Sequence, residues 1–254
     1  MPTQGNESDR ERIGVVGAGV MGAGIAQVLA VAGHEVWCYD LSSDALASAR
    51  ETVDTGRFGV RSSVARGKLT ADEADAALAR LHFTDDLDAA AAGAVIIEAV
   101  PERLDLKIRL WRDLDRRAPA ASIFASNSSG YPIQAMAAAT DRPDRMIGWH
   151  WASPAPVMKL AEIVRGPETS DETVETIVRL AAGAGKNPVV VKDTAGSWGY
   201  VANRIYSAMG REARRVVQEG IATNEQVDQL MVDCFRWPTG PFGMATGATT
   251  GWKK

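Results

Sequence analysis

Three glycines, Gly17, Gly19 and Gly22, follow the apolar run 13–16 and lead into 23–32, a helix-forming segment that stops at Gly33. This G-x-G-x-x-G spacing between a strand and a helix constrains the fold more than any other feature of the chain. Gly17 permits a tight turn, Gly19 lets the backbone approach a pyrophosphate, and Gly22 lets helix and strand pack closely. The helix N-terminus then presents its unpaired amides to anionic phosphates. Val20 and Met21, lying between the second and third glycines, are expected to line the same turn.

The next apolar run, 36–39, ends in Asp40, about 20 residues beyond the glycines, where a carboxylate can accept hydrogen bonds from adenosine ribose hydroxyls. The same carboxylate repels a 2′-phosphate, and no arginine follows in Leu41-Ser42-Ser43. Strand, glycine turn, helix and acid together predict a site for NAD rather than NADP.

Further short apolar runs at 95–99, 123–126, 146–149, 160–164 and 188–191 alternate with segments of helical period. That alternation is the pattern of βαβ units around a parallel sheet, with the runs as buried strands. Thr70 with Glu73, Thr169 with Glu172 and Thr223 with Gln226 have capping-box spacing at helix starts. After Lys192 no strand-like run recurs, and 201–219 and 224–232 read as helices. The fold class expected is therefore α/β, a doubly wound sheet over 13–192, then a linker at 193–199 and a small all-helical domain over 200–254.

A chain of 254 residues with net charge −4 and no long basic run gives no reason to expect nucleic acid or an anionic membrane as a partner. Residues 1–12 are polar, lack the apolar core of a signal peptide, and are expected to form a frayed tail; no later run is long enough to span a bilayer. Cys38 and Cys234 are too far apart in sequence to suggest a disulfide framework or a metal cluster, so no metal is expected and a reducing cytoplasm is the default.

Hydride chemistry on a secondary alcohol also needs a base near the hydroxyl, and the chain has three histidines. His34 reads as a solvated loop residue after Gly33, and His82 lies in a charged, peripheral segment. His150 ends one strand and Glu162 lies in the next, beyond a turn at 153–156, so the two can meet side by side. A lone histidine is more often structural than catalytic, and spacing alone leaves His150 open.

Six blocks in order carry a family resemblance: Ile96-Ile-Glu-Ala-Val-Pro-Glu102, Ser126-Asn-Ser-Ser129, Gly148-Trp-His150, Pro154 to Glu162, Gly185 to Asp193, and Val201-Ala-Asn203-Arg204. From Gly14 onward the chain resembles the L-3-hydroxyacyl-CoA dehydrogenase family. The resemblance implies a Rossmann-type domain, a helical domain, and an active site in the cleft between them. It implies His150 as catalytic base, Glu162 as the carboxylate that orients it, and Ser129 and Asn203 as donors to the substrate oxygen. Glu102, Lys107 and Asn127 match positions at the nicotinamide end of the cofactor. Arg61, Arg66 and Lys68 fall in the family's helical excursion near the CoA tail, where positive charge suits phosphates or an acyl carrier protein; a solvated charged face fits them equally.

Three departures qualify the carry-over. Trp151-Ala152-Ser153 follows the histidine where the family has aromatic and asparagine residues, and is expected to reshape the wall of the site. The stretch from Asp193 to Asn203 is longer than the family's linker. The helical part ends at Lys254, short of the family's usual end, which weakens the expectation of a homodimer. The reading that results is an NAD-dependent oxidoreductase interconverting (S)-3-hydroxyacyl and 3-ketoacyl thioesters, CoA esters of short chain first. The alternatives are the same chemistry on a carrier-bound or free 3-hydroxy acid, a sugar acid or a carnitine-like amine, and an NAD-binding structural or sensory protein without turnover.

Overall fold

The computed structural model describes residues 10–194, 196 and 198–250, with side chains through residue 247. The chain divides into two compact units, one reaching Trp198 and one starting at Gly199. Of the expected tail, 1–9 lie outside the described residues, as do positions 195 and 197 of the expected linker.

The first unit is built on one eight-stranded sheet: β1 (Arg12–Val16), β2 (Glu35–Tyr39), β3 (Leu81–Thr84), β4 (Val95–Glu98), β5 (Ile123–Ser126), β6 (Met146–Trp151), β7 (Leu160–Arg165) and β8 (Asn187–Lys192). Their spatial order is β3-β2-β1-β4-β5-β6-β7-β8. Every neighbouring pair is parallel except β6 and β7, which run antiparallel. The first six strands have the order expected of a doubly wound dinucleotide-binding sheet, and β7 and β8 extend it.

Period-two alternation sends side chains to two separate cores. Val15, Cys38, Ile97, Ala125, Trp149, Trp151 and Ile163 face one side, with α1 (Val20–Val31), α2 (Ser43–Asp54) and α8 (Asp171–Gly183). On the other side Trp111 of α6 (Leu104–Arg117) stacks on Phe124 with ring centroids 4.9 Å apart. Gly14 is required here, because a Cβ would stand 2.0 Å from the carbonyl oxygen of Ala90 in α5 (Leu87–Ala91). The short α7 (Ile133–Ala137) buries Ile133 and Met136, and α3 (Val60–Ala65) and α4 (Ala71–Ala79) form an excursion between β2 and β3.

Several local expectations change. β3 has no counterpart among the expected strands: Leu81-His82-Phe83-Thr84 is too short and too mixed to read as an apolar run. His82 lies in this edge strand, stacked on Trp37 at 4.5 Å. His34 is buried, not solvated, and its Nδ1 accepts the Glu11 amide at 3.2 Å. Run 188–191 forms an edge strand rather than a buried one, with Val189 55% exposed. The capping boxes at Thr70 and Thr223 are present. At α8, however, Ser170 is the cap; Thr169 is buried and donates to the Met146 carbonyl at 2.6 Å.

The second unit consists of α9 (Val201–Gln218), α10 (Asn224–Phe235) and α11 (Pro241–Thr250). The third helix was not legible in sequence, because its start is capped from a distance. Asp228 of α10 accepts the Phe242 and Gly243 amides, each at 2.8 Å. Gly240 lets the chain pass this close, since a Cβ there would meet the Asp228 Cα at 2.3 Å.

The connection 152–159 between β6 and β7 is held by a buried lysine. Lys186 Nζ donates to the carbonyls of Ala155 and Met158 at 2.6 and 2.8 Å and lies 5.2 Å from the Trp151 ring centroid. Burial, with Lys159 nearby, lowers its pKa from the ordinary 10.5 to about 8. Between those two values the unfolded chain holds a proton that the folded chain has released, so this group adds stability as pH rises and loses it again as pH falls through about 8. Urea denaturation of wild type and Lys186→Met at pH 8 and pH 10 should show wild type gaining stability relative to the variant at the higher pH. An unchanged difference refutes the assignment.

Candidate active site

The glycine turn has the geometry of an anion cradle. Gly17 has φ +105°, and a Cβ on it would meet the Ala99 carbonyl oxygen at 2.7 Å. A Cβ on Gly22 would stand 1.7 Å from the Gly17 oxygen. The protein's own backbone thus requires both of these glycines. Gly19 differs: it is exposed, it occupies the N-cap of α1 without a side-chain cap, and a Cβ there would meet nothing within 4 Å. No internal contact explains its small size, whereas a diphosphate on the helix N-terminus does. The first turn of α1 carries no acidic residue, Val20 is exposed and Met21 half-buried.

Asp40, just past β2, is fixed by two amides, Ala18 N–H at 2.8 Å and Ser42 N–H at 3.0 Å. Each carboxylate oxygen keeps acceptor capacity for a ribose hydroxyl. Turn, helix start and carboxylate are one hydrogen-bonded unit, and these residues fit NAD.

Across the sheet, the ends of β4 and β5 hold a polar network. Lys107, buried on α6, places Nζ 2.6 Å from Glu98 Oε1 and 3.2 Å from Glu102 Oε2. Glu98 also accepts the Ser126 hydroxyl at 2.7 Å and the Val100 amide at 2.9 Å. Burial raises the pKa of the Glu98 carboxyl above the ordinary carboxylate range, and the Lys107 ammonium and these two donors offset only part of that rise. Glu102 accepts the Ser129 amide at 3.1 Å and the Ser128 hydroxyl. Asn127 Oδ1 accepts the Trp151 amide at 3.0 Å, tying the end of β5 to β6.

His150 and Glu162 are register partners in the antiparallel pair, with Nδ1 and Oε2 2.7 Å apart and both residues buried. An ionised carboxylate only accepts, so it fixes the proton on Nδ1 and makes Nε2 the basic nitrogen. Trp149 and Trp151 alternate to the opposite face, where both are buried with ring centroids 5.0 Å apart. Trp151 therefore fills core and does not form the wall expected of it.

The structure brings Glu102, Lys107, Asn127 and Ser129 together at the β4 and β5 ends, with His150 and Glu162 on adjoining strands. Asn203 lies in the first turn of α9 in the second unit, half-buried. Arg61, on α3, is paired with Asp75 at 2.6 Å, and Arg66 donates to the Arg57 carbonyl at 2.7 Å. Their partners, like the exposed Lys68, lie within the excursion. Glu98, Ser126 and Ser128 were missed as site residues. The signal was present: a glutamate closing the apolar run 95–98 must find a buried partner. Among the described residues no group of His, Cys, Asp and Glu could hold a metal ion, and no helix is long and apolar enough to cross a membrane.

Residues 12–194 match the family model described as 3-hydroxyacyl-CoA dehydrogenase, NAD binding domain, and residues 199–253 match that of the C-terminal domain. The chain is 38% identical over 239 residues to a probable 3-hydroxybutyryl-CoA dehydrogenase of Bacillus subtilis, covering 92% of this chain and 80% of that one. It is 39% identical over 231 residues to the 3-hydroxyadipyl-CoA dehydrogenase of Escherichia coli, covering 91% of this chain but only 47% of that longer protein, about half its length. A crystal structure of (S)-3-hydroxybutyryl-CoA dehydrogenase from Ralstonia eutropha superposes with TM-score 0.87 at 38% identity, covering 92% of this chain and 81% of that one. These matches define an NAD-dependent oxidoreductase class built on a Rossmann-type sheet. The chain belongs to the 3-hydroxyacyl-CoA dehydrogenase family.

The glycine geometry separates folding from binding. Gly19→Ala should unfold at the wild-type temperature while NAD affinity, read by calorimetric titration, drops about tenfold or more as the methyl enters the diphosphate's space. A drop in melting temperature with unchanged affinity would contradict this role.

Proposed function

We propose that this protein interconverts (S)-3-hydroxyacyl and 3-ketoacyl thioesters, with short-chain CoA esters as substrates. The observation that carries the reading is the buried His150–Glu162 pair, at 2.7 Å, on β6 and β7, the first of which adjoins β5. The named activities of the Bacillus subtilis and Ralstonia eutropha relatives support the substrate class, and the latter supports the (S) configuration.

Bound NAD supplies the hydride acceptor. His150 Nε2 takes the hydroxyl proton in the oxidative direction and returns it in reduction, while Glu162 holds the ring and stabilises the imidazolium. The Ser129 hydroxyl donates to the substrate oxygen as charge develops on it. Its turn is braced for this by the bond from its own amide to Glu102. Asn203 keeps the donor role that its match to the family implies. Glu102, Lys107 and Asn127 border the nicotinamide half, and Asp40 binds the ribose of the adenosine half. Arg61, Arg66 and Lys68 are assigned to the CoA tail more weakly, since the first two already have partners in the excursion. Cytoplasmic location and homodimerisation belong to the same reading.

Purified protein should consume NADH on addition of acetoacetyl-CoA, followed by loss of NADH absorbance, and His150→Ala should lower kcat by about 10²–10⁴-fold. Turnover of a free 3-keto acid with none of the CoA ester would refute the thioester assignment. Equal activity of wild type and variant would refute the base.

A further inference from the structure

Two of the three charges at the β4 end, Glu98 and Lys107, are buried at a cost that stability alone does not explain. A buried ion pair is often no more stabilising than apolar residues of the same volume, so its retention calls for another role. Glu98 and Lys107 are 0% and 1% exposed, whereas the Glu102 side chain is 34% exposed. All of the Glu98 partners described above are donors: the Lys107 ammonium, the Ser126 hydroxyl and the Val100 amide. Those donors favour the ionised carboxylate against the burial that raises its pKa. Lys107 faces three acceptors, Glu98, Glu102 and the Val100 carbonyl at 3.4 Å, which match the three protons of an ammonium. The sum over the two glutamates and the lysine is one net negative charge. The nearby Arg103 and Arg109 share Asp105, at 3.0 and 2.8 Å, and are held on that exposed carboxylate.

The position of this charge follows from the sheet. Val16, just before the glycine turn, is in register with Glu98, and Glu98 is in register with Ser126. In a sheet of this order a dinucleotide crosses the carboxyl ends of the strands at the switch point between its two halves. Asp40 marks the adenosine half on the β2 side, so the nicotinamide half lies toward β4 and β5. The nicotinamide ring is a cation in NAD+ and neutral in NADH.

We propose that Glu98, Lys107 and Glu102 form a charge-setting unit whose net negative charge favours NAD+ over NADH, with Glu98 as the positioning residue that anchors Lys107 beneath Glu102. The proposal rests on the NAD reading of the site. On the protein, the hydride step is thereby tilted toward NAD+ and the hydroxy ester. Glu98 thus gains a part in the reaction without touching the reacting atoms.

Calorimetric titration of wild type, Glu98→Gln and Glu102→Gln with NAD+ and with NADH tests it. Each substitution removes one negative charge, and each should weaken NAD+ about three- to tenfold more than NADH. Glu102→Asp, which keeps the charge, should retain the wild-type ratio. A merely structural role predicts equal weakening of both dinucleotides, and that result, or an unchanged ratio, overturns the proposal. Should the buried Glu98→Gln fail to fold, Glu102→Gln at the rim decides alone. Wild type that binds neither dinucleotide overturns the NAD reading itself, which the variant ratios cannot do.

Discussion

The backbone ladder of the parallel strands sets everything else in the first unit. Val16, Glu98, Ser126 and Gly148 are in register across β1, β4, β5 and β6; the first three strands end along this row, while β6 runs on to Trp151. The residues that follow the three strand ends, Gly17 to Gly22, Val100 to Glu102 and Asn127 to Ser129, therefore leave at one edge, beside the last residues of β6 that include His150. Parallel strands leave amides and carbonyls unpaired at their ends, and those ends supply the polar anchors seen here. The Asn127 amide donates to the Glu98 carbonyl at 2.9 Å and the Ala99 amide to the Val16 carbonyl at 2.8 Å. A slip of one residue in any of these strands would send its side chains to the other face and dissolve the site.

The single antiparallel pair has a different consequence. In a parallel sheet of this kind each strand arrives from the far edge, and its acid and base groups come from separate loops. Here β7 turns back along β6, so a histidine and a carboxylate twelve residues apart in sequence become direct cross-strand neighbours. Alternation along β6 does the rest: His150 faces the polar side, while Trp149 and Trp151 anchor the strand in the opposite core. The indole nitrogens of both tryptophans are buried without a hydrogen-bond partner, a cost of about 1–3 kcal/mol each. Their large apolar area is what holds the strand, and Lys186 closes the connection behind them.

Legibility in the sequence followed the length scale of each interaction. The glycine turn, the Asp40 acid and the capping boxes at Thr70 and Thr223 are local, so spacing alone located them. The His150–Glu162 pair was legible as a possibility because a short turn brings neighbouring strands together, and the family resemblance turned it into an assignment. β3 escaped because it is four residues long and half polar at an edge. Its packing comes from Trp37 on a neighbouring strand. α11 escaped because its cap, Asp228, sits fourteen residues upstream of the amide it holds. Trp151 follows a catalytic candidate in sequence but does not share its surroundings, because adjacent side chains in a strand point to opposite faces.

The same contrast explains why the charged network was invisible and the dyad was not. Glu98, Lys107 and Glu102 are joined by α6 packing over the ends of β4 and β5, a tertiary event with no repeating period. A buried glutamate is nonetheless a strong statement in any sequence, because an unpaired charge there costs several kcal/mol and must be answered by a partner. The only question is which one. Lysine nine residues on, one turn into the helix after the strand, is the nearest cation whose stem can stay buried while its ammonium reaches back to the strand end. Arg103, closer in sequence, stands at the helix N-cap and points to Asp105 instead. The helix start thus selects Lys107. With that choice made, Glu102, held on the same ammonium, orders the turn that carries Ser129, while Asn127 ties the end of the same strand to the strand bearing His150. The site is therefore assembled outward from one buried ion pair, and its rigidity is inherited from strands whose cores are already complete.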